Sequence, residues 1–300
     1  MRIMPKWYEV LLSTTILALT IFLFVVYPYT MVGYLPLIVI LSSTVAFSSV
    51  SVLVGLRKLF FLAGATSHIS LAALLIAIII IGKLTTKVEY ILMIAVIICT
   101  GLTSIVGYLI RKGTDKDTAT AVIVSLSASI SVVLAYIIKD HYGHVIIDVE
   151  SLIWGDPLLV SQTDAMMSIS IAIISLVITL LTYKAHALIG IDYDVARTSG
   201  INVRIYDMLL YVLIGVTLSA LLKIVGFILE HVLVLMPSSI ALSVVSGTKK
   251  MVFVTFYVSL LASLAGVSLS IALDLSPSGT IGIIFGFFYL VALWRRKVTR

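Results

Sequence analysis

The chain is divided into apolar runs of about 20 residues, each long enough to cross the hydrocarbon core of a bilayer as an α-helix. The runs lie near 10–27, 34–56, 60–81, 90–110, 119–138, 165–183, 206–222, 225–246, 251–272 and 279–294. Only a short stretch around Lys223 separates the seventh run from the eighth, so the two form either a hairpin or one broken element. The sequence therefore predicts an all-α polytopic membrane protein with about ten (eight to ten) transmembrane helices, and a single transmembrane domain over 1–300.

Composition excludes a water-soluble enzyme. Hydrophobic residues make up 61% of the chain and charged residues 11%, whereas soluble domains have about 45–50% and about 25%. The net charge of +6 does not indicate a nucleic-acid partner, because the basic residues stand at the ends of apolar runs rather than on one soluble patch. We expect membrane lipid around the chain, no nucleic acid, and a multi-pass position in the cell (plasma) membrane.

Lysine and arginine also predict the orientation, since they concentrate in cytoplasmic loops. With ten spans and both termini in the cytoplasm, only four of the 20 basic residues fall on the outer side. These four are Lys83, Lys87, Lys139 and Lys223. An odd number of spans would spoil this separation, so the basic residues favour ten.

Two predicted loops are long enough to have a role. The extracytoplasmic loop covers about 139–164 and is acidic; the cytoplasmic loop covers about 184–205. In the latter, Asp192 or Asp194 can cap a short helix that ends at Gly200. A short charged helix of this kind is either a docking element or an ordinary solvated loop, and we favour docking.

Three ionisable residues lie inside predicted spans, where a charge at mid-membrane costs about 2.5–3.5 kcal/mol and usually marks a ligand site or pathway. They are His68 in the third run and the adjacent pair Glu230 and His231 in the eighth. The rise of a helix places all three near the midplane, where both members of the pair, one or neither could join His68. Imidazole and carboxylate suit zinc, manganese or ferrous iron. For His68 alone, a hydrogen bond to serine or threonine of another helix is an equal explanation.

Pro237 follows the pair by six residues and removes a backbone donor, so we expect a helix break near the pathway or a kink without a role. We expect no permanently bound cofactor, only a transported divalent metal ion (zinc, manganese or iron).

Four segments together resemble the permease subunits of metal-ion ABC importers. They are 60–68 (Phe-Phe-Leu-Ala-Gly-Ala-Thr-Ser-His), 152–156 (Leu-Ile-Trp-Gly-Asp), 194–200 (Asp-Val-Ala-Arg-Thr-Ser-Gly), and 225–229 (Val-Gly-Phe-Ile-Leu) leading to 237–241 (Pro-Ser-Ser-Ile-Ala). The similarity runs over roughly 34–294. One departure is clear: the family's aspartate four residues before the histidine, a proposed metal ligand, is replaced here by Gly64.

The resemblance implies a fold like that of the vitamin B12-type importers, with a homodimer or heterodimer of permease chains around a central path. It implies that cytosolic ABC ATPase subunits grip the inner loop at Asp194, Ala196, Arg197 and Gly200, and that an extracytoplasmic metal-binding solute-binding protein delivers the ion. The chain itself has no G-x-x-x-x-G-K-[ST] motif, so we expect no ATP hydrolysis by it.

Two other functions compete with this interpretation. A secondary, ion-gradient-driven transporter could use His68 and Glu230 as a proton relay and would need no ATPase partner. An intramembrane hydrolase could use Glu230 and His231 as acid and base, but the sequence places no nucleophile beside them.

Overall fold

The protein is described by a computed structural model that covers residues 14–15, 33–82, 87–141, 149–155 and 157–298. Over these residues it is all-helical, with eight helices long and apolar enough to cross a membrane. The helices are α1 (Tyr34–Arg57), α2 (Phe60–Ile81), α3 (Val88–Arg111), α4 (Lys116–His141), α5 (Val149–Trp154), α6 (Gln162–Ile191), α7 (Tyr193–Thr198), α8 (Val203–Val244), α9 (Thr248–Leu273) and α10 (Pro277–Val298). The predicted first span, 10–27, lies outside the described residues.

Helix α1 is the most enclosed of the first helices and packs chiefly against α6 and α8. It runs parallel to α6, since the Ser42 and Ser168 hydroxyls lie 2.8 Å apart and the Thr179 hydroxyl donates to the Ser49 carbonyl at 3.1 Å. At its end, Lys58 takes a left-handed conformation (φ 54°) that lets the chain turn directly into α2.

Helix α8 resolves the ambiguity about the seventh and eighth runs. Its 42 residues are interrupted at Gly226, whose φ of 78° and ψ of 158° belong to a region that only glycine occupies without strain. Asp207 pairs with Arg57, and Ser238 bonds Ser51. A straight helix would separate positions 207 and 238 by about 46 Å, whereas positions 51 and 57 of α1 are only about 9 Å apart.

The two arms of α8, 203–225 and 227–244, therefore run in opposite directions. We call them the first arm and the second arm. The predicted spans 206–222 and 225–246 correspond to them, so the hairpin alternative describes the chain path although the backbone stays helical on both sides of one glycine.

The predicted break at Pro237 is wrong. Pro237 lies inside the second arm, and Gly226 is where the backbone leaves helical angles. The reason is local: the N–H of Ser238 bonds the Ser51 hydroxyl at 3.2 Å, which holds the proline turn against α1, whereas Gly226 alone can adopt a positive φ.

The break at Gly226 is covered by α5 and the start of α10. Gly155, also at positive φ (68°), lies so close that a Cβ on Gly226 would be 2.6 Å from its Cα. The Ser278 hydroxyl donates to the carbonyls of Trp154 at 2.6 Å and Val225 at 3.3 Å. These bonds satisfy carbonyls that the break would otherwise leave unpaired in a water-poor environment.

The two predicted loops are shorter than expected. The outer segment contains α5, whose Leu152 is fully buried. On the other side, α6 continues to Ile191 and α8 begins at Val203, because the apolar residues between Ala185 and Ile189 extend the helix. Only 192–202 remains between the two long helices.

Replacing Gly226 with alanine should destabilise the folded protein by at least about 2 kcal/mol, because the side chain meets both a forbidden backbone region and the Gly155 backbone. Chemical unfolding in detergent micelles measures this. Gly101→Ala is the matched control, since a Cβ there has nothing within 4 Å. Equal stability of the two variants would contradict the role given to Gly226.

Candidate metal site

Two of the three predicted ligands come together. His68 of α2 and His231 of the second arm face each other edge to face, with ring centroids 5.1 Å apart and planes at 78°. The Phe227 ring lies 5.0 Å from the first imidazole and 4.4 Å from the second. Both histidines are half-buried. The Phe227 ring thus covers one side of the pair, and both imidazoles remain partly exposed.

Two backbone groups orient the His231 ring. Its Nδ1 lies 2.9 Å from the Phe227 carbonyl oxygen. Because a carbonyl only accepts, Nδ1 carries the proton in this contact. The backbone of Gly64, on α2, also hydrogen-bonds the ring. A backbone bond of this kind on one nitrogen typically fixes the ring of a metal-ligating histidine.

Glu230 points elsewhere. Its side chain is fully buried, and its Oε1 accepts a hydrogen bond from Ser70 at 2.9 Å, while Oε2 has no partner among the described residues. Adjacent helical residues point about 100° apart, and here that angle separates the carboxyl from the two imidazoles. Within the part of the chain that the structure describes, no group of three or more His, Cys, Asp or Glu side chains is placed to hold a metal ion.

Gly64 lies one turn before His68 on the same half-exposed face of α2. A Cβ at this position would be 3.7 Å from the Leu235 Cδ1, which is an ordinary contact. The site therefore has room for a larger side chain where the resemblance expects an aspartate.

A second candidate site is the segment between α6 and α8. Asp192, one of the two predicted caps, accepts from the N–H groups of Asp194 (2.9 Å) and Val195 (3.0 Å) and begins α7. The helix ends at Thr198, and the chain turns away at Gly200 (φ 84°), after which the Ile201 N–H bonds the Ala196 carbonyl at 3.1 Å. Ala196 is fully buried, whereas Asp194 and Arg197 are exposed. The predicted capped helix is confirmed, and its charged side chains face outward.

Sequence reasoning missed a buried polar cluster beside this segment. Arg57, His186 and Asp207 meet there, although the sequence places His186 in the predicted loop and gives Arg57 no role beyond its charge. In fact His186 lies inside α6 and is fully buried. The available signal was Asp207, an acidic residue just inside an apolar run.

The fold and these two sites define a multi-pass membrane protein with a histidine pair between its helices and an exposed capped helix at one end. The chain belongs to the ABC 3 transport family, whose family model matches residues 11–296.

Three relatives illustrate the family. The chain is 28% identical over 196 residues to a "Probable iron transport system membrane protein" of Haemophilus influenzae, covering 64% of this chain and 70% of the relative. It is 27% identical over 148 residues to a "High-affinity zinc uptake system membrane protein ZnuB" of Buchnera aphidicola, covering 49% and 56%. It is 24% identical over 148 residues to a "Manganese transport system membrane protein MntC" of Halalkalibacterium halodurans, covering 49% and 51%. The last two matches span little more than half of the relatives' lengths.

Two solved structures share the fold. One is described as "PsaBC from Streptococcus pneumoniae in complex with Fab" (TM-score 0.71, 20% identity, 86% of this chain and 89% of that chain). The other is "An inward-facing conformation of a putative metal-chelate type ABC transporter" (TM-score 0.71, 14% identity, 96% and 99%). At these identities the likeness concerns the fold alone.

Proposed function

We propose that the chain is the permease subunit of an ATP-driven ABC importer for a divalent metal ion, namely zinc, manganese or iron. The observation that carries the proposal is the histidine pair, because two imidazoles facing each other between membrane helices are suited to a divalent transition-metal ion. Membership of the ABC 3 transport family supports the same class of transport, and the relatives' names supply the candidate ions.

The orientation follows from the two ends of the bundle. Among the lysines and arginines whose side chains the structure describes, nine lie at the end that carries Arg57 and α7, which we call the basic face. They are Arg57, Lys58, Arg111, Lys112, Lys184, Arg197, Arg204, Lys249 and Lys250. Lys87, Lys139 and Lys223 lie at the opposite face. The positive-inside rule makes the basic face cytoplasmic, and with the predicted span 10–27 in place both termini lie on that side too.

The partners follow from this orientation. Cytosolic ABC ATPase subunits dock on α7 and the residues around it (192–202), within the predicted 184–205 coupling loop, and hydrolyse the ATP. A metal-binding solute-binding protein docks at the opposite face, where the 139–164 segment lies. A second permease chain, a copy of this one in the simplest assembly, covers the half-exposed faces of α2 and the second arm. A relationship to the vitamin B12-type importers is part of this proposal.

The donor set bears on the choice of ion. Imidazole nitrogens favour zinc or ferrous iron, whereas manganese prefers carboxylate and other oxygen donors. With Gly64 in place of an aspartate and the Glu230 carboxyl bonded to Ser70, the pair offers nitrogen without a facing carboxylate. Glu230 belongs to the proposed site as the group that joins the second arm to α2, and two ligands plus water hold the ion loosely enough for release.

Uptake into proteoliposomes tests the proposal. The chain, reconstituted with the ATPase and binding protein of its own transport system, should accumulate zinc, iron or manganese only when ATP is supplied. Accumulation driven by an ion gradient without nucleotide would contradict the proposal and support the secondary transporter.

Removing an imidazole should weaken transport strongly. We expect His68→Ala and His231→Ala each to lower metal uptake at a fixed low concentration by at least about tenfold, equal to about 1.4 kcal/mol of binding. Glu230→Ala should also reduce uptake, whereas Glu230→Gln should retain most of it, since the amide oxygen can still accept from Ser70. Assembly with the ATPase should be unchanged in all four. Normal uptake by both histidine variants would overturn the site, and a complete loss in Glu230→Gln would indicate a directly ligating carboxylate.

Adding the absent carboxylate should change the selectivity. Gly64→Asp places an oxygen donor one turn from His68, and we expect the ratio of manganese to zinc uptake to rise by about tenfold, because manganese gains more from a hard ligand. Gly64→Asn has the same size without the charge and serves as the control. An equal rise in both variants would show that size, not ligand chemistry, is responsible.

Charge reversal on α7 should affect coupling rather than ion binding. Arg197→Glu alters an exposed side chain on the docking helix, so we expect ATP hydrolysis by the complex to continue while metal uptake per ATP falls. Binding of metal to the detergent-solubilised variant should match the wild type. Unchanged uptake per ATP would contradict the docking assignment.

A further inference from the structure

A cluster of buried polar groups lies at the basic face, where four membrane helices meet. The Arg57 Nη2 of α1 lies 2.5 Å from Oδ1 of Asp207 in the first arm, and the two side chains are only 9% and 4% exposed. The Arg57 Nη1 lies 3.5 Å from Nδ1 of the fully buried His186 in α6. Arg111 of α3 reaches the other Asp207 oxygen at 4.0 Å.

This cluster lies beside the two helix ends that flank the docking helix α7. His186 precedes the end of α6 by five residues, Asp207 follows the start of α8 by four, and α7 lies between the two. Arg57 therefore joins the end of α6 and the start of α8. We call these two helix ends, which flank α7, the stems. The stems and α1 are in close contact here, since a Cβ on Gly190 would overlap the Leu56 carbonyl.

The same end of α1 also holds the arm with the histidine. Ser51, less than two turns before Arg57, donates from its hydroxyl to the Ser238 Oγ at 3.0 Å and accepts from the Ser238 N–H at 3.2 Å. Ser238 follows His231 by seven residues, which is two turns of the second arm. Hydrogen-bonded and packed groups thus run without a gap from α7 to the histidine pair.

Stability alone does not account for the cluster. Burying an ion pair is often no better for stability than packing apolar residues of similar volume. Within the described part of the chain, His186 Nε2 and Arg111 Nη1 are buried without a hydrogen-bond partner, which adds a desolvation cost. What the guanidinium offers is geometry, because its planar fork points donors at an imidazole nitrogen and a carboxylate oxygen in fixed directions, whereas the donors of a lysine ammonium rotate on a flexible stem.

We propose that Arg57 is the positioning residue that couples α7 to the second arm, so that displacement of the docking helix moves α1 and, through Ser51 and Ser238, the ligand His231. This inference rests on the proposed function. Arg57 touches neither the ion nor the ATPase in it; the residue acts by holding His186 and Asp207 in one rigid unit with α1.

Two variants test the proposal in the reconstituted complex of permease, ATPase and binding protein. Arg57→Lys keeps a positive charge for Asp207 but loses the fork that reaches both stems. The double variant Arg57→Leu with Asp207→Leu removes both buried members of the pair together and leaves Arg111, whose side chain is 23% exposed, as the nearest remaining charge. It should therefore preserve folding better than either single change. The control is Lys58→Gln, which neutralises the exposed neighbour at the same helix end.

In both test variants we expect the number of metal ions imported per ATP hydrolysed to fall by at least about fivefold, a readout that a merely structural role would not move in an intact complex. Metal binding to the permease, binding of the ATPase and the rate of ATP hydrolysis should stay near the wild type. Lys58→Gln should keep the wild-type ratio.

The inference is overturned if Arg57→Lys assembles normally and keeps the wild-type ratio of ions to ATP, whatever the double variant does. It is equally overturned if uptake and ATP hydrolysis fall together, in proportion to the amount of assembled complex, since the cluster is then only structural. These failures are distinct from failure of the proposed function, in which the wild-type complex itself would import no metal with ATP.

Discussion

Inside a bilayer every backbone polar group must find a partner within the protein, and this requirement determines where the chain can be irregular. The long helices satisfy it by themselves. The one non-helical residue inside α8, Gly226, satisfies it through neighbours: Ser278 donates to the Val225 carbonyl, and the glycine-only approach of Gly155 excludes lipid from the gap. A membrane protein can therefore reverse a helix at mid-sequence, but only where small residues and a hydroxyl are available to cover the break.

The histidine pair depends on that reversal. Because the second arm begins at Phe227, the carbonyl of this residue lies one turn before His231, bonds its Nδ1 and sets the ring orientation. The reversal also returns the chain along α2, so that His231 meets His68 although 163 positions separate them in sequence. Straightening α8 would leave both imidazoles in place on their helices and remove the contact between them.

Helix number and type could be predicted from the sequence, since a run of about 20 apolar residues has few alternatives in a membrane. The similar depth of His68, Glu230 and His231 could be predicted too, because helix rise fixes depth, but the sequence left open which of the pair would meet His68. The direction of Glu230 could not, since a hydrophobic sequence carries no periodicity that separates one buried face from another. The prediction for Pro237 was wrong for a related reason. A proline shows only that a backbone N–H donor is missing, whereas the actual break depends on the space around Gly226, which only the tertiary structure reveals. His186 and Asp207 were hidden because a residue near the end of an apolar run looks the same whether it faces water or a neighbouring helix.

The distribution of polar contacts along α1 connects these points. Its serines and threonines bond α6, α8 and α9 at successive levels, through Ser42, Ser51 and Thr44. Hydrogen bonds between membrane helices contribute only about 0.6 kcal/mol each on average. These three contacts therefore fix the relative positions of the helices more than they stabilise the fold. At the end of α1 that lies at the basic face stands the charged residue Arg57. Its contacts are stronger and more directional than those of the hydroxyl groups. Because α1 is held weakly along its length and firmly at Arg57, it turns with the end that carries Arg57. That end adjoins the docking helix α7.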